Sequence, residues 1–185
     1  MDSARAAGEP EPTAMVLATS DGRGQVTSRT VLLKGLDPRG FVFYTNTLSN
    51  KGRQLDASPR AAGTFLWKTI QCQVQLAGAV SRVSEAEADE YFATRDRGSQ
   101  VGAWASLQSQ PLDSRETLEN RVAELESKYR GGDVPRPPHW SGFRIDPEMV
   151  EFWHGREFRL HDRFRYTRSG NGHANESWVV ERLYP

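Results

Sequence analysis

The chain has 185 residues, of which 37% are hydrophobic and 26% are charged, values typical of one soluble globular domain. Lys plus Arg and Asp plus Glu each number 24, so no global charge favours nucleic acid as a partner. No apolar run reaches the roughly 20 residues that span a bilayer, which argues against a membrane protein. The single Cys72 excludes an intrachain disulfide, and the N-terminus lacks an apolar signal core, so we predict a cytoplasmic protein.

The first part of the chain has the pattern of antiparallel strands around one short helix. Residues 1–12 are small, polar and proline-containing, and we predict a disordered tail there, followed by one domain over residues 13–185. A helix is predicted over residues 49–57, and its free N-terminal amides are a weak candidate for an anion site. Strands are predicted over residues 14–19, 25–34, 41–45, 60–68 and 70–83.

The predicted strand at residues 70–83 alternates between an apolar and a polar face. Cys72, Val74, Leu76 and Val80 share the apolar face, and glutamines occupy the other. We therefore expect Cys72 to be buried as a small hydrophobic residue rather than to act as a nucleophile.

The middle of the chain is predicted to be helical. A capping pattern at Ser84 opens a helix that reaches Arg95, and a second short helix is predicted over residues 98–106. A third helix opens at Asp113 and ends near Tyr129, with an apolar stripe that is expected to cover the sheet. Further strands are predicted over residues 140–145, 149–153, 159–168 and 178–183. Strands followed by helices and then strands indicate an α+β fold built on an antiparallel sheet or barrel.

Residues 159–166, with the sequence RLHDRFRY, concentrate positive charge. In an extended segment, Arg159, His161, Arg163 and Arg165 would share one face, because side chains alternate along a strand. Such a face is compatible with a phosphate, which matches the forked donors of arginine, or with a solvated edge strand. The periodicity alone leaves both interpretations open.

Familiar catalytic motifs are absent from the sequence. It has no P-loop, no GxGxxG, no HExxH and no GxSxG pattern. The histidines, His139, His154, His161 and His173, are scattered, so no metal site is expected. An enzyme with this sequence would need a cofactor for difficult chemistry.

A set of ordered motifs does carry a family resemblance. In chain order they are SRTVLLKG (28–35), GFVFYTN (40–46), SNKG (49–52), YFATRDRGSQVGAWAS (91–106), QSQP (108–111), VPRPPHWSGFR (134–144), EFW (151–153) and RLHDR (159–163). Together they resemble the pyridoxamine 5′-phosphate oxidase family, from about residue 12 to residue 185. The resemblance implies an FMN-dependent oxidase with a split β-barrel and peripheral helices, working as a homodimer with FMN at the subunit interface.

The resemblance also implies roles for individual residues. Arg159 and His161 would be catalytic and, with Leu160, would lie over the substrate's pyridine ring. The substrate phosphate would be held by Lys34, Tyr91, Arg95 and Ser99. FMN would be held by Arg29, Thr30, Val31, Leu32, Leu33, Lys34, Tyr44, Thr45, Lys51, Gln73, Gln108, Ser109, Trp153 and Arg163. No metal is implied.

Two features of the motifs affect these expectations. Asn50 and Cys72 stand where the family has arginines, so we expect a reduced affinity for FMN. Arg29 and Lys34 are an odd number of positions apart and would face opposite ways in a regular strand. A bulge or bend between them would bring both to one ligand.

The implied activity is oxidation of pyridoxine or pyridoxamine 5′-phosphate to pyridoxal 5′-phosphate, with O2 as the electron acceptor. One alternative is a related flavin oxidase of secondary metabolism that acts on a reduced phenazine. Another is a flavin- or pyridoxal-phosphate-binding protein with little turnover.

Overall fold

The computed structural model describes residues 1–169 and 177–185, and these residues form a nine-stranded sheet with five α-helices. The strands are β1 Ala14–Ser20, β2 Val26–Leu32, β3 Gly35–Asp37, β4 Gly40–Asn46, β5 Arg60–Trp67, β6 Cys72–Arg82, β7 Trp140–His154, β8 Asp162–Ser169 and β9 Ser177–Arg182. The helices are α1 Asp2–Ala6, α2 Asn50–Ala57, α3 Glu85–Ala93, α4 Arg97–Ala105 and α5 Arg115–Lys128. The predicted α+β class with an antiparallel sheet is confirmed.

The sheet curls into a half-barrel organised around β7. Its strand order is β2-β1-β5-β6-β7-β4-β3, with β8 paired to β7 and β9 paired to β8. The first part of β7 pairs with β4, its last part pairs with β8, and β6 runs beside most of its length. This strand therefore pairs with three others, β4, β6 and β8.

β7 is one strand of 15 residues, whereas the sequence predicts two separate strands there. The strand continues through Pro147 because the register of β6 shifts between Ala77 and Gly78, where Gly78 lies opposite Pro147. Proline has no N–H to donate, and a bulge is the position at which a sheet tolerates it.

Gly78 allows this close approach, and we expect Gly78→Ala to destabilise the fold by about 2–3 kcal/mol. A Cβ at this position would lie 1.9 Å from the carbonyl oxygen of Asp146, which belongs to the rigid backbone of β7. Gly102→Ala is the matched control, since a Cβ there would meet nothing within 4 Å inside α4. That variant should be neutral or more stable by about 0.5–1 kcal/mol. Thermal unfolding of both variants without ligand measures the difference, and equal melting temperatures would contradict the expectation.

The interior of the half-barrel is apolar. Its largest fully buried side chains include Met15, Leu17, Phe43, Phe65, Leu76, Phe143 and Ile145. Cys72 is buried in the same core, and burial raises the pKa of its thiol. The predicted alternation of β6 is confirmed, because Cys72, Val74 and Leu76 are buried while the intervening glutamines are half-exposed.

The predicted disorder of residues 1–12 is corrected by the structure. These residues include helix α1, whose Ala4 is fully buried. The indole N–H of Trp67 donates to the carbonyl of Pro12 at 2.8 Å, and Thr69 Oγ1 donates to Glu9 at 2.9 Å. Both partners lie more than 50 positions away in the sequence, so composition alone gives no indication of these contacts.

Helix α5 begins one residue later than predicted and packs differently. Its N-cap is Ser114, whose hydroxyl accepts from the backbone N–H of Thr117 at 3.1 Å, rather than Asp113. The helix packs mainly against α4 and buries none of its residues fully, so it covers a helix rather than the sheet. Its predicted apolar stripe, Leu118, Val122, Leu125 and Tyr129, is half-buried.

Candidate functional site

A cavity of about 420 Å³ brings together the four residues that the sequence predicts for a substrate phosphate. It is lined by Leu32, Lys34, Tyr44, Tyr91, Thr94, Arg95, Asp96, Ser99 and Trp140. A second cavity of about 310 Å³ shares Tyr44, Arg95, Ser99 and Trp140 and continues to Thr45 and Gln108. The residues predicted to hold the substrate phosphate and some of those predicted to hold the flavin thus line neighbouring cavities.

The cavity wall is formed by the junction of α3 and α4 against the start of β7. α3 ends at Ala93, so Arg95 lies in the junction and not on the helix that the sequence predicts. Asp96 caps α4 by accepting from the backbone N–H of Ser99 at 2.8 Å, which fixes that residue in the first turn. Tyr91 and Ser99 therefore approach the cavity from two helices, with Arg95 between them.

Aromatic stacking holds this wall in place. The ring of Tyr44 stacks on Tyr91 at 4.0 Å and on Trp140 at 5.2 Å between centroids. The guanidinium of Arg95 lies 4.9 Å from the centroid of Trp140. Sequence reasoning did not assign Trp140 to the site, because a tryptophan at the start of a strand is usually a core residue.

Arg95 lacks a partner for part of its charge. Its Nη1 atom is buried and, within residues 1–169 and 177–185, forms no hydrogen bond. Burial lowers the pKa of Arg95, since desolvation disfavours the charged form. An unpaired buried cationic group costs several kcal/mol, so the cavity is suited to an anion that would pair with it.

Lys51 is the second cation with incomplete compensation. Only 8% of the residue is exposed, and its Nζ donates to Gln108 Oε1 at 2.7 Å, Thr45 Oγ1 at 3.0 Å and Ser49 Oγ at 3.2 Å. These acceptors are all neutral. Burial, together with the charge of Arg29, lowers the pKa of Lys51 to about 8. A phosphate would supply the missing negative charge.

Arg29 projects from β2 toward the same region. Its guanidinium donates to Thr19 Oγ1 at 2.6 Å, to the carbonyl of Leu17 at 3.2 Å and to Gln54 Oε1 at 3.4 Å. Every one of these acceptors is neutral. Burial lowers the pKa of Arg29.

Between Arg29 and Lys34 the backbone leaves β2 and changes its hydrogen-bond partner. The N–H of Leu33 donates to Thr13 beside β1, whereas the N–H of Lys34 donates to Val42 in β4. Leu33 is buried and Val31 packs on the core, so these two side chains point away from the cavities, whereas Thr30 is exposed.

The loop after α4 and the start of α2 meet beside Lys51. Ser109 adopts a left-handed φ of 72°, and its hydroxyl accepts from the backbone N–H of Asn50 at 3.1 Å. Asn50, which replaces the family arginine, accepts from Arg53 Nη2 at 2.6 Å through its side chain. A cation is therefore retained near this helix start, three residues further along the chain.

The remaining predicted residues lie at the other end of β7. Gln73, Trp153 and Arg163 stand in register across β6, β7 and β8. The ring of His161 lies 4.6 Å from that of Trp153. Arg159 and Leu160 are exposed in the turn that precedes β8.

The predicted four-cation face over residues 159–165 does not form. β8 begins at Asp162, because Phe158 and Arg159 adopt left-handed φ angles of 55° and 63° in the preceding turn. Only Arg163 and Arg165 share the strand face, and the anion that they contact is the carboxylate of Glu151. This pairing was not predicted, because it joins residues that lie 12 and 14 positions apart.

The predicted residues thus form two groups, which we call half-sites. The Lys51 half-site contains Arg29, Lys34, Tyr44, Thr45, Lys51, Tyr91, Arg95, Ser99, Gln108 and Ser109. The Trp153 half-site contains Gln73, Trp153, Arg159, Leu160, His161 and Arg163. Thr45 pairs with Ser141 and Gln73 pairs with Trp153, so 12 residues of β7 separate the half-sites, or about 40 Å along the strand.

Outside residues 170–176, no group of three or more His, Cys, Asp or Glu side chains is arranged to hold a metal ion. His173 lies outside the described residues. In the same part of the chain, no helix combines the length and apolar character needed to cross a bilayer.

The sequence matches two family models. Residues 1–129 match the model described as pyridoxamine 5′-phosphate oxidase, and residues 140–185 match the pyridoxine 5′-phosphate oxidase C-terminal dimerisation region. Curated relatives bear the name pyridoxine/pyridoxamine 5′-phosphate oxidase. That of Myxococcus xanthus (strain DK1622) is 58% identical over 95% of this chain and 82% of its own. That of Rubrobacter xylanophilus is 55% identical over 100% of this chain and 82% of its own.

Solved structures confirm the predicted split β-barrel with peripheral helices. PhzG from Burkholderia lata 383, in complex with tetrahydrophenazine-1-carboxylic acid, is similar at a TM-score of 0.92 and 35% identity, covering 100% of this chain and 88% of that one. A pyridoxamine 5′-phosphate oxidase-related, FMN-binding protein from Nostoc punctiforme has a TM-score of 0.76 at 18% identity. The match covers 98% of this chain and 91% of that one, so the two share the fold.

Proposed function

The chain belongs to the pyridoxamine 5′-phosphate oxidase family, and we propose that it uses FMN to oxidise pyridoxine and pyridoxamine 5′-phosphate to pyridoxal 5′-phosphate. The observation that carries the proposal is the cavity at the α3–α4 junction, where a buried nitrogen of Arg95 has no hydrogen-bond partner among the described residues. A dianionic 5′-phosphate would pair with Arg95 and Lys34 and accept hydrogen bonds from the hydroxyls of Tyr91 and Ser99.

The Lys51 half-site fits the phosphate of FMN. Within residues 1–169 and 177–185, Lys51 and Arg29 donate hydrogen bonds only to neutral acceptors, so an anion would balance two partly buried cations. The amide of Gln73 and the guanidinium of Arg163 would serve the polar edge of the flavin ring, beside the flat surface of Trp153. When bound, FMN would supply an acceptor for the hydride from the substrate's C4′ carbon and a route for the electrons to O2.

A homodimer accounts for the separation of the half-sites. The chain carries the family's C-terminal dimerisation region over residues 140–185, which includes all of β7 and β8. In the proposed assembly, the Lys51 half-site of one copy faces the Trp153 half-site of the other. Arg159 and His161 of the second copy would then orient the pyridine ring over the flavin, while Arg95 of the first holds the phosphate.

Anaerobic reduction tests the proposed activity. The flavin-loaded protein should lose its visible absorbance on addition of pyridoxamine 5′-phosphate, and much more slowly with unphosphorylated pyridoxamine. The reason is that buried cations left unpaired penalise a substrate without the phosphate. Bleaching by a reduced phenazine alone would assign the protein to phenazine chemistry, and bleaching by none of these would favour a binding protein.

Because Lys51 is charged, the affinity of the protein for FMN should depend on pH in a way that its affinity for riboflavin does not. With a pKa of about 8, the ammonium of the flavin-free protein loses its proton as the pH rises through that value. Binding of a phosphate then requires uptake of a proton, so FMN affinity should fall about tenfold per pH unit above about pH 8. Riboflavin has the same ring without the phosphate and should show no such fall.

Quenching of flavin fluorescence measures both affinities across this pH range. Lys51→Ala should remove the difference in slope between the two flavins, since the titrating group is gone. Equal slopes for FMN and riboflavin in the unmodified protein would exclude Lys51 from the phosphate site.

A further inference from the structure

Glu151 is a buried carboxylate at the centre of the sheet face that carries the Trp153 half-site. Its side chain is only 4% exposed, and it stands between Gln75 of β6 and Arg165 of β8. Because alternate residues of a strand share a face, Glu151 lies on the same face as Trp153 and, across the strands, Gln73. No role was predicted for Glu151 from the sequence.

Both carboxylate oxygens of Glu151 are occupied by arginines. Oε1 accepts from Nε of Arg163 at 2.8 Å, and Nη2 of that guanidinium lies 2.8 Å from the same oxygen. Oε2 accepts from Nε and Nη2 of Arg165 at 3.2 and 3.0 Å. The carboxylate therefore holds one edge of the Arg163 guanidinium in a fixed plane.

Arg163 retains donors beyond these contacts. Its Nη1 donates to the carbonyl of Tyr184 at 3.0 Å, so the C-terminal residues hold a second edge. A guanidinium has five N–H donors, and among the described residues at least two of those of Arg163 have no acceptor and remain for a ligand. Their direction is set by the Glu151 contact, since the fork of arginine is rigid.

Charge balance between Arg163 and Arg165 is a simpler explanation for a carboxylate here. Half-exposed arginines, however, can be neutralised by solvent and salt, whereas burying a carboxylate costs several kcal/mol that an apolar residue would avoid. Each carboxylate oxygen of Glu151 makes its own directed contact with a different arginine. This arrangement indicates that Glu151 orients the guanidinium groups as well as balancing their charge.

We propose that Glu151 is a positioning residue for the flavin: it aims the free donors of Arg163 at the ring and reduces their positive potential there. The inference rests on the proposed FMN site. It implies that losing the carboxylate weakens FMN binding and makes the bound flavin easier to reduce, because Arg163 would then be both misdirected and uncompensated.

Glu151→Gln tests the proposal, with FMN affinity and the midpoint potential of the bound flavin as readouts. We expect FMN to bind about tenfold more weakly and the potential to become more positive. Glu148→Gln is the matched control, because this carboxylate lies on the same strand, is 46% exposed and pairs with Arg60. It should leave both readouts unchanged.

A double-mutant cycle shows whether Glu151 acts through Arg163. If it does, adding Glu151→Gln to Arg163→Ala causes no further loss of FMN affinity. The same tenfold loss in both backgrounds would overturn the proposal and leave Glu151 as a structural residue. If the Gln variant does not fold, Glu151→Asp replaces it, since aspartate keeps the charge on a side chain one methylene shorter. This variant should bind FMN more weakly while its flavin midpoint potential stays near that of the unmodified protein.

Failure of this inference is distinguishable from failure of the proposed function. An unmodified protein that binds no FMN would reject the proposed cofactor. An unmodified protein that binds FMN, together with a folded Glu151→Gln variant of equal affinity and potential, would reject the role of Glu151 alone.

Discussion

Arg95→Ala should raise the KM for pyridoxamine 5′-phosphate by about a hundredfold while changing kcat by less than about threefold. A phosphate handle interacts equally with the ground and transition states, so its loss appears in KM. A charge-assisted contact from a partly buried guanidinium is worth about 2.7 kcal/mol or more, which corresponds to two orders of magnitude. The Nη1 atom of Arg95 is buried and has no hydrogen-bond partner in the described part of the chain, and the guanidinium stacks on Trp140. The cation is therefore in the cavity before any ligand arrives.

Two controls sharpen this measurement. Unphosphorylated pyridoxamine should react almost equally with Arg95→Ala and with the unmodified protein, because it has nothing to pair with the guanidinium. Arg97→Ala removes an arginine from the same junction, but that side chain contacts Glu126 and the carbonyls of Tyr129 and Gly132. It should leave KM within about twofold. Equal losses for both substrates in Arg95→Ala would exclude a phosphate role.

At low substrate concentration, mixed dimers should regain activity that each parent dimer has largely lost. Arg95→Ala damages the Lys51 half-site, and Arg159→Ala damages the Trp153 half-site. If each site is built from both copies, a heterodimer has one intact site and one doubly defective site. Random association of equal amounts makes about half of the dimers heterodimers, so about a quarter of all sites should be restored.

Co-expression followed by assays at low substrate concentration measures this recovery. Arg95→Ala paired with Ser99→Ala is the matched control, since both changes lie in the Lys51 half-site and no heterodimer contains an intact site. Recovery in neither pair would indicate that each site is completed within one chain, by a rearrangement of β7 and its neighbours.

The strands and helices of this chain were largely predictable, because their signals are local. The alternation in β6 follows from a period of two along the strand, and the capping box at Ser84 joins residues three positions apart. The contacts that fix the N-terminal residues and Glu151 are not local in this sense. Trp67 reaches Pro12 across 55 positions, and no pattern within either segment contains that information.

The candidate site was only partly predictable for a similar reason. The residues of the site were predicted from the resemblance of the motifs to a family. Their spacing in the sequence alone does not indicate that Arg29 lies near Lys51 or Tyr91. The cationic face at residues 159–165 was predicted from strand periodicity, which fails where Phe158 and Arg159 adopt left-handed backbone angles. Such angles are uncommon for residues other than glycine and depend on the surrounding fold.

If FMN bridges the two half-sites as proposed, the length of β7 links the concentration of FMN to the assembly state of the protein. A ligand bridged by two chains binds the pair and neither chain alone, so by mass action it strengthens subunit association as it fills the sites. At a concentration one hundred times its dissociation constant, each bridging FMN would add about 2.7 kcal/mol to the stability of the pair. Flavin supply would then determine how far the enzyme can be diluted before it falls apart into inactive single chains.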